Sequence, residues 1–397
     1  MSKIVFPRLR PTVTCDVAKS DSIVHGIRYG PISSKSIHMT GQSSNVAGVG
    51  PPTVQLGSLQ ALRAVAAMLV VLFHMNIFTI PDSLGRPPLW GGLNMGYAGV
   101  EIFFVLSGFI MYYVHSGEFG RPDRFGLFVL KRVTRIYPFF WIVLSGVVLL
   151  RMIDGAALPT SWSLFVSATL LPFQEAHILG VQWTLSFEMM FYLVFGVTLL
   201  NRYLGLAVGG IWFAACATAA VAGYGGPGAG FLLSAYNLLF LFGLLAAYLW
   251  TRLGRGGGAL LGSGALLFFG VGLSEAVGGV SFNKSLRTVL YGLGAMAMIM
   301  ALVSLEAKGK LRTPRWLAFL GDASYAIYLV HITAMAVIAR VLQMASLDGL
   351  PSLVLGGCLF LGAVAAGAAA HVLLEKPLTE VIRRQTRPKG AATGSQA

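Results

Sequence analysis

The run Leu59-Gln-Ala-Leu-Arg-Ala-Val-Ala-Ala-Met-Leu-Val-Val-Leu-Phe-His74, continued by Met75 to Ile80, decides the fold. Apolar residues cover every face of the helix it would form, whereas a helix on the surface of a soluble domain keeps a polar stripe. About 20 helical residues cross a hydrocarbon core of about 30 Å, so residues 59–80 are expected to span a membrane. Arg63 and His74 interrupt the apolar pattern. An ionisable group at membrane depth costs a few kcal/mol, which makes both functional candidates.

The rest of the chain has the same character. Of its 397 residues 56% are hydrophobic and 11% are charged, against roughly 25% charged in soluble domains, and the mean hydropathy is +0.74. Lipid must therefore supply much of the solvent. Disordered, collagen-like and disulfide-rich secreted classes are excluded. Ten runs are long enough to cross, over 59–80, 97–115, 134–153, 181–200, 204–223, 231–251, 259–274, 286–304, 322–343 and 352–374. The stretch from Trp162 to Pro172 is apolar but too short, and reads as an interfacial or re-entrant piece. Barrel strands do not fit runs this long and continuous. The fold class expected is all-α, a polytopic membrane helical bundle of about ten transmembrane helices, without an internal repeat.

Residues 1–55 are rich in Ser, Gly and Pro and are expected to form a disordered cytoplasmic tail, with no signal peptide. Met39 stands 20 residues before the first apolar helix, and translation from it is an expectation that the N-terminal mass tests. Residues 56–376 then form the membrane domain and 377–397 a basic cytoplasmic tail. The 29 Lys and Arg against 15 Asp and Glu give a formal charge of +14. That excess lies between apolar runs, where it sets topology and meets anionic lipid, so no nucleic acid is expected. With the N-terminus cytoplasmic, only Arg86, Arg151, Lys284 and Arg287 fall outside, Arg63 and Arg340 lie within helices, and the other 23 of the 29 are cytoplasmic. Both termini are thus placed in the cytoplasm. Cys15, Cys216 and Cys358 are too scattered for a disulfide framework or a zinc site, and no metal is expected.

The ionisable groups in or beside apolar runs are Arg63, His74, Glu101, Arg135, Glu188, Asp322, His331, Arg340 and His371. Arg63 and His74 are eleven residues apart, about three helical turns, so they share a face about 16 Å apart along the axis. Histidine is the side chain suited to take a proton from a hydroxyl at neutral pH, although a structural, hydrogen-bonded imidazole fits the position equally. Arg132 and Arg135 adjoin on one helical face and form a fork for phosphate, or a plain cytoplasmic anchor. Glu101 lies among aromatics in Gly99-Val-Glu-Ile-Phe-Phe-Val-Leu-Ser-Gly-Phe109, where Ser107 and Gly108 suit close helix contact. Ser324, Tyr325, Tyr328 and His331 form a polar stripe that suits catalysis or helix glue alike.

Taken together, Leu62-Arg63 with His74, the Gly99 to Phe109 segment, Arg132-Val-Thr-Arg135 before Tyr137-Pro138, Trp183-Thr-Leu-Ser-Phe-Glu188 and Gly321-Asp-Ala-Ser-Tyr-Ala-Ile-Tyr-Leu-Val-His331 resemble membrane acyltransferase family 3, in its exopolysaccharide O-acyltransferase branch. The resemblance covers about residues 57–380. The helix-two acid, often Asp in the family, is Glu101 here. The resemblance implies transfer of an acyl group, usually acetyl, from cytoplasmic acyl-CoA to a hydroxyl of a glycan such as exopolysaccharide, O-antigen or a lipid-linked saccharide. It implies a multi-pass protein of a bacterial inner membrane, with no bound cofactor and with polysaccharide-assembly proteins as partners. Arg132 and Arg135 would hold the coenzyme phosphates and Arg63 would draw in the thioester. His74 would act as general base or as transient acyl carrier. Glu188 would orient an imidazolium or bind the acceptor, Ser324, Tyr325 and Tyr328 would line the donor passage, and Glu101 and His331 are further candidates. Two rival classes are a carrier or flippase for a lipid-linked saccharide, and an assembly protein whose buried polar groups only specify packing.

Overall fold

A backbone in hydrocarbon has no water to bond, so it must satisfy its own N–H and C=O groups, and uninterrupted apolar runs do so as helices. The computed structural model describes residues 56–172, 177–223, 230–253, 256–278 and 282–386. The expected N-terminal tail with Cys15 and Met39, and residues 387–397 of the basic tail, lie outside the described residues. The helices are α1 Gly57–His74, α2 Gly99–His115, α3 Pro122–Ile153, α4 Ser161–Thr169, α5 Trp183–Leu200, α6 Arg202–Ala222, α7 Tyr236–Leu249, α8 Gly257–Ala276, α9 Lys284–Ala307, α10 Arg315–Asp322, α11 Ser324–Met344, α12 Ser352–Ala370 and α13 Lys376–Gln385. Among the described residues there is no strand, and nine helices are long and apolar enough to cross a membrane.

The tenth expected span, 231–251, is shorter than its apolar run. Its helix α7 has 14 residues, about 21 Å. It still connects the two ends of the bundle by running parallel to α2, because Phe104 packs on Tyr236 at one end of the pair and Tyr112 on Tyr248 at the other. Helix α3 differs in the opposite sense. It begins at Pro122 and not near residue 134, because a charged first third with Asp123, Arg124 and Lys131 is helical without being apolar. The piece between Trp162 and Pro172 contains the nine-residue helix α4, capped where Thr160 accepts from Ser163 N.

The most apolar parts of α2, α5 and α9 are more than half buried, whereas α3, α6, α8 and α12 leave large apolar side chains such as Leu149, Ile211, Leu266 and Leu361 exposed toward lipid. Glycine permits the tightest inner crossing. A Cβ on Gly108 would stand 2.1 Å from Phe240 O, and one on Gly243 would stand 2.0 Å from Val105 O, so α2 and α7 meet backbone to backbone. Polar clamps close both ends. At one, the Glu306 carboxylate accepts from Gly57 N at 2.9 Å and Ser58 N at 3.0 Å, capping α1, which has no side-chain cap of its own. At the other, Glu275 accepts from Tyr97 Oη at 2.6 Å, Tyr291 Oη at 3.0 Å and Arg287 at 3.2 Å, tying α8 and α9 to the entrance of α2.

Candidate active site

Helix α1 carries Arg63 in its second turn and His74 at its last residue. Immediately after His74 the backbone widens to i→i+5 hydrogen bonding over Met75–Ser83, a stretch containing Pro81, which has no N–H to give. His74 therefore sits where a regular helix changes pitch. Its ring stacks on Phe78, with centroids 5.6 Å apart, and its Nδ1 lies 2.9 Å from Val70 O and 3.2 Å from His331 Nε2.

These contacts fix the tautomers. His331 is fully buried, and its Nδ1 faces two carbonyls, Tyr328 O at 2.8 Å and Ile327 O at 3.2 Å, so that nitrogen carries the proton and donates. His331 Nε2 is then a lone pair that accepts from His74 Nδ1–H, which also faces Val70 O. The remaining His74 Nε2 is unprotonated. In a neutral imidazole that lone pair is the basic and nucleophilic atom. The partner that orients it is an imidazole, whereas the sequence pointed to Glu188 for that role.

One helical turn before His331 on α11, a cavity opens toward the α1 end of the bundle, with ≈ 790 Å³ of empty space including its mouth. Arg63, Arg135, Glu188, Ser324, Tyr325 and Tyr328, all expected from sequence, line it together. Glu188 accepts from Ser107 Oγ at 3.1 Å and from Tyr192 Oη. Tyr325 donates to Ile136 O at 2.9 Å, Tyr328 lies 3.0 Å from Thr184 Oγ1, and the fully buried Ser324 Oγ has no hydrogen-bond partner among the described residues. Neither Arg63 nor Arg135 makes an ion pair among the described residues. The two guanidinium groups share the cavity with the Glu188 carboxylate, which lies within electrostatic reach of both, so the cations lining it outnumber the anions and suit an anionic ligand. The Tyr328 ring lines this cavity and lies 6.0 Å from the His331 ring, which brings the histidine pair next to the cavity's inner end.

Arg132 is elsewhere. It is 8% exposed and packs over the Phe128 and Tyr192 rings, and its Nη2 donates to His115 Nε2 at 2.9 Å, while His115 Nδ1 donates to Glu118 at 2.6 Å. Of the two arginines expected to form one fork, Arg135 thus lines the cavity, whereas Arg132 is engaged by His115 behind the Tyr192 ring that lines it. Glu101 also lies outside the cavity lining, 1% exposed, with neither carboxylate oxygen partnered among the described residues. Arg340 pairs with Asp154 at an exposed end and His371 with Glu375, so neither joins the site. Tyr192, Ser107 and Thr184 are the members that sequence reasoning missed. Tyr192 stands one turn after Glu188 in the quoted α5 run, a spacing that could have found it.

Comparison with known proteins agrees with this chemistry. The family model described as an acyltransferase domain, that of the membrane acyltransferase family 3, matches residues 56–372. The exopolysaccharide production protein ExoZ of Rhizobium meliloti (strain 1021) is 30% identical over 302 residues, 72% of this chain and 90% of that protein. The acyltransferase MdmB of Streptomyces mycarofaciens is 26% identical over 86% of this chain and 96% of its own length. The putative membrane-bound transacylase BcsY of Komagataeibacter xylinus is 26% identical over 69% of this chain and 71% of its own. No solved structure matches the chain.

Proposed function

The chain belongs to this acyltransferase family, and we propose that it moves an acyl group, acetyl in the first instance, from cytoplasmic acyl-CoA to a hydroxyl of a glycan such as exopolysaccharide. The observation that carries the reading is that Arg63 and Arg135 line one cavity whose Tyr328 ring lies 6.0 Å from His331, the partner of His74. Coenzyme phosphates suit the cations, and Ser324, Tyr325 and Tyr328 form the passage along which the thioester reaches the histidines. The acceptor hydroxyl then attacks the thioester carbonyl while His74 Nε2 takes its proton. The C–S bond breaks, and the coenzyme thiolate leaves with that proton. General-base catalysis of this kind contributes about 10²–10⁴-fold to a rate. The names of the relatives, one concerned with exopolysaccharide production, support a glycan acceptor. The placement of Lys and Arg supports both termini in the cytoplasm of a bacterial inner membrane.

The test is transfer of radiolabel from acetyl-CoA to extractable glycan in membranes holding equal amounts of wild type, His74→Ala and Arg135→Ala. The expected outcome is label with the wild type, none with His74→Ala, and label recovered in Arg135→Ala only as coenzyme concentration is raised about tenfold or more. That factor is what loss of a hydrogen bond to a charged group, about 1.5–3 kcal/mol, implies. Undiminished transfer by His74→Ala would remove that residue from the chemistry. Unchanged coenzyme affinity in Arg135→Ala would return the cavity to a structural role.

A further inference from the structure

A second cavity, ≈ 660 Å³ with its mouth included, opens on the far side of an aromatic wall from the arginine cavity. The wall contains Phe104, which lines the first cavity and whose ring lies 6.3 Å from Trp183, 5.8 Å from Phe187 and 5.8 Å from Tyr236, three residues that line the second. This second cavity is at the end of the bundle opposite the Glu306 clamp. Trp183, Tyr236 and Lys284 are the first residues of α5, α7 and α9, and those helices finish beside Gly120, Tyr112 and Ser58 at the other end.

The lining has three chemical parts. Trp183, Phe187, Phe231 and Tyr236 form a continuous ring cluster, with centroid separations of 5.3 Å for Trp183 and Tyr236 and 4.5 Å for Phe187 and Phe231. His177 brings a buried Nε2 without a hydrogen-bond partner among the described residues. Burial pushes that imidazole below its ordinary pKa, so it is neutral at physiological pH and offers one donor and one acceptor. Lys284 extends over the Tyr236 ring, its Nζ 5.9 Å from the centroid, and makes no ion pair among the described residues.

Each candidate occupant makes different demands. An acyl chain has no use for the orphaned imidazole or the cation. A coenzyme carries several phosphates and needs more than one cation, which the first cavity supplies. A pyranose ring has apolar C–H faces that lie flat on aromatic rings and a rim of hydroxyls that exchange hydrogen bonds with a neutral imidazole. We propose that this pocket is the acceptor subsite and takes an acidic sugar of the glycan, with the sugar face on Trp183 and Tyr236, a hydroxyl on His177 and the carboxylate toward Lys284. The inference rests on the acyl-transfer reading for its biological sense, but binding is measurable without transfer.

The test titrates the detergent-purified full chain with a glucuronate-terminated tetrasaccharide and with its glucose-terminated counterpart, reading tryptophan fluorescence. The expected result is a saturable change with the acidic sugar that is lost in Trp183→Phe. Lys284→Gln should weaken the acidic ligand about tenfold and equalise the two sugars, while acetyl-CoA affinity stays at the wild-type value as a control for folding. No response to either sugar in the wild type, or equal affinity of Lys284→Gln and wild type for the acidic one, would overturn the proposal. So would a signal raised only by vesicles of phosphatidylglycerol, which would make the pocket a lipid site. His74-dependent transfer that survives in Lys284→Gln with unchanged acceptor KM sinks the subsite and leaves the enzyme. Sugar binding without any His74-dependent transfer sinks the enzyme and leaves the subsite.

Discussion

His74 Nε2 is available because two acceptors hold the proton on Nδ1, one a backbone carbonyl of its own helix and the other the lone pair of His331. When Nε2 gains a proton, the positive charge that develops is shared with His331, whose own N–H is held by Tyr328 O. Replacing His331 by Leu leaves Val70 O as the one acceptor. This loss of a hydrogen bond to a charged group is expected to lower kcat about ten- to a hundredfold with little change in donor KM. His331→Gln, whose amide oxygen can accept from Nδ1–H, should recover most of the loss, and steady-state kinetics of the three proteins at equal abundance measure it. Equal rates in the Leu and Gln variants would make His331 a packing residue. The residues of this site were legible in the sequence wherever a polar side chain stands alone in an apolar run, as Arg63, His74, Glu188 and His331 do. The separation of Arg132 from Arg135 was not. Spacing of three places both on one face of α3, but what each meets depends on α2 and α5, which bring His115 to one and Glu188 to the cavity of the other.

At the scale of elements, position within the bundle is set by close approach as much as by apolarity. Helices α2 and α7 cross through Gly108 and Gly243, and α2 also supplies Ser107 and Met111 to the cavity. Gly108→Ala puts a methyl group 2.1 Å from Phe240 O, a backbone atom that cannot swing aside. The expected cost is about 1–3 kcal/mol of overpacking, read as a lower midpoint of thermal unfolding in detergent together with weaker coenzyme binding. Gly146→Ala on α3 is the control. A Cβ there meets nothing within 4 Å, so the helix should gain about 0.5–1 kcal/mol from reduced backbone entropy. Equal midpoints for the two variants would show that the α2 and α7 crossing tolerates a side chain. The apolar runs disclosed where helices lie, but their ends followed other rules. Helix α3 starts at a proline amid charges, and α7 stops short of the run that contains it, because hydropathy reports the solvent of a segment and not its hydrogen-bonded limits.

For the whole molecule the question is direction, since the proposed function, with its donor in the cytoplasm and its glycan outside, requires a bundle open at both ends to different ligands. The packing orders the ends without reference to any membrane. Gly57 and Ser58 meet Glu306 at one end, together with the basic segment at Lys308 to Arg315, and Arg86 reaches Ser352 Oγ and Asp348 O at the other. The arginine cavity lies toward the first end and the aromatic pocket at the second. On the proposed reading the surplus of Lys and Arg at the first end places that end in the cytoplasm, and the shortened α7 is consistent with that assignment because it runs parallel to α2. In a variant whose native cysteines are replaced by serine, Asp348→Cys should react with a membrane-impermeant maleimide applied to intact cells, and Lys310→Cys only after lysis. Both positions are exposed, so reagent access reports side and not burial. The reverse pattern would put the arginines outside, where no coenzyme pool exists, and would exclude cytoplasmic acyl-CoA as the donor for this cavity. The expected pattern would leave the passage from Arg135 past Tyr328 to His74 as the route by which the acyl group reaches an acceptor on the far side.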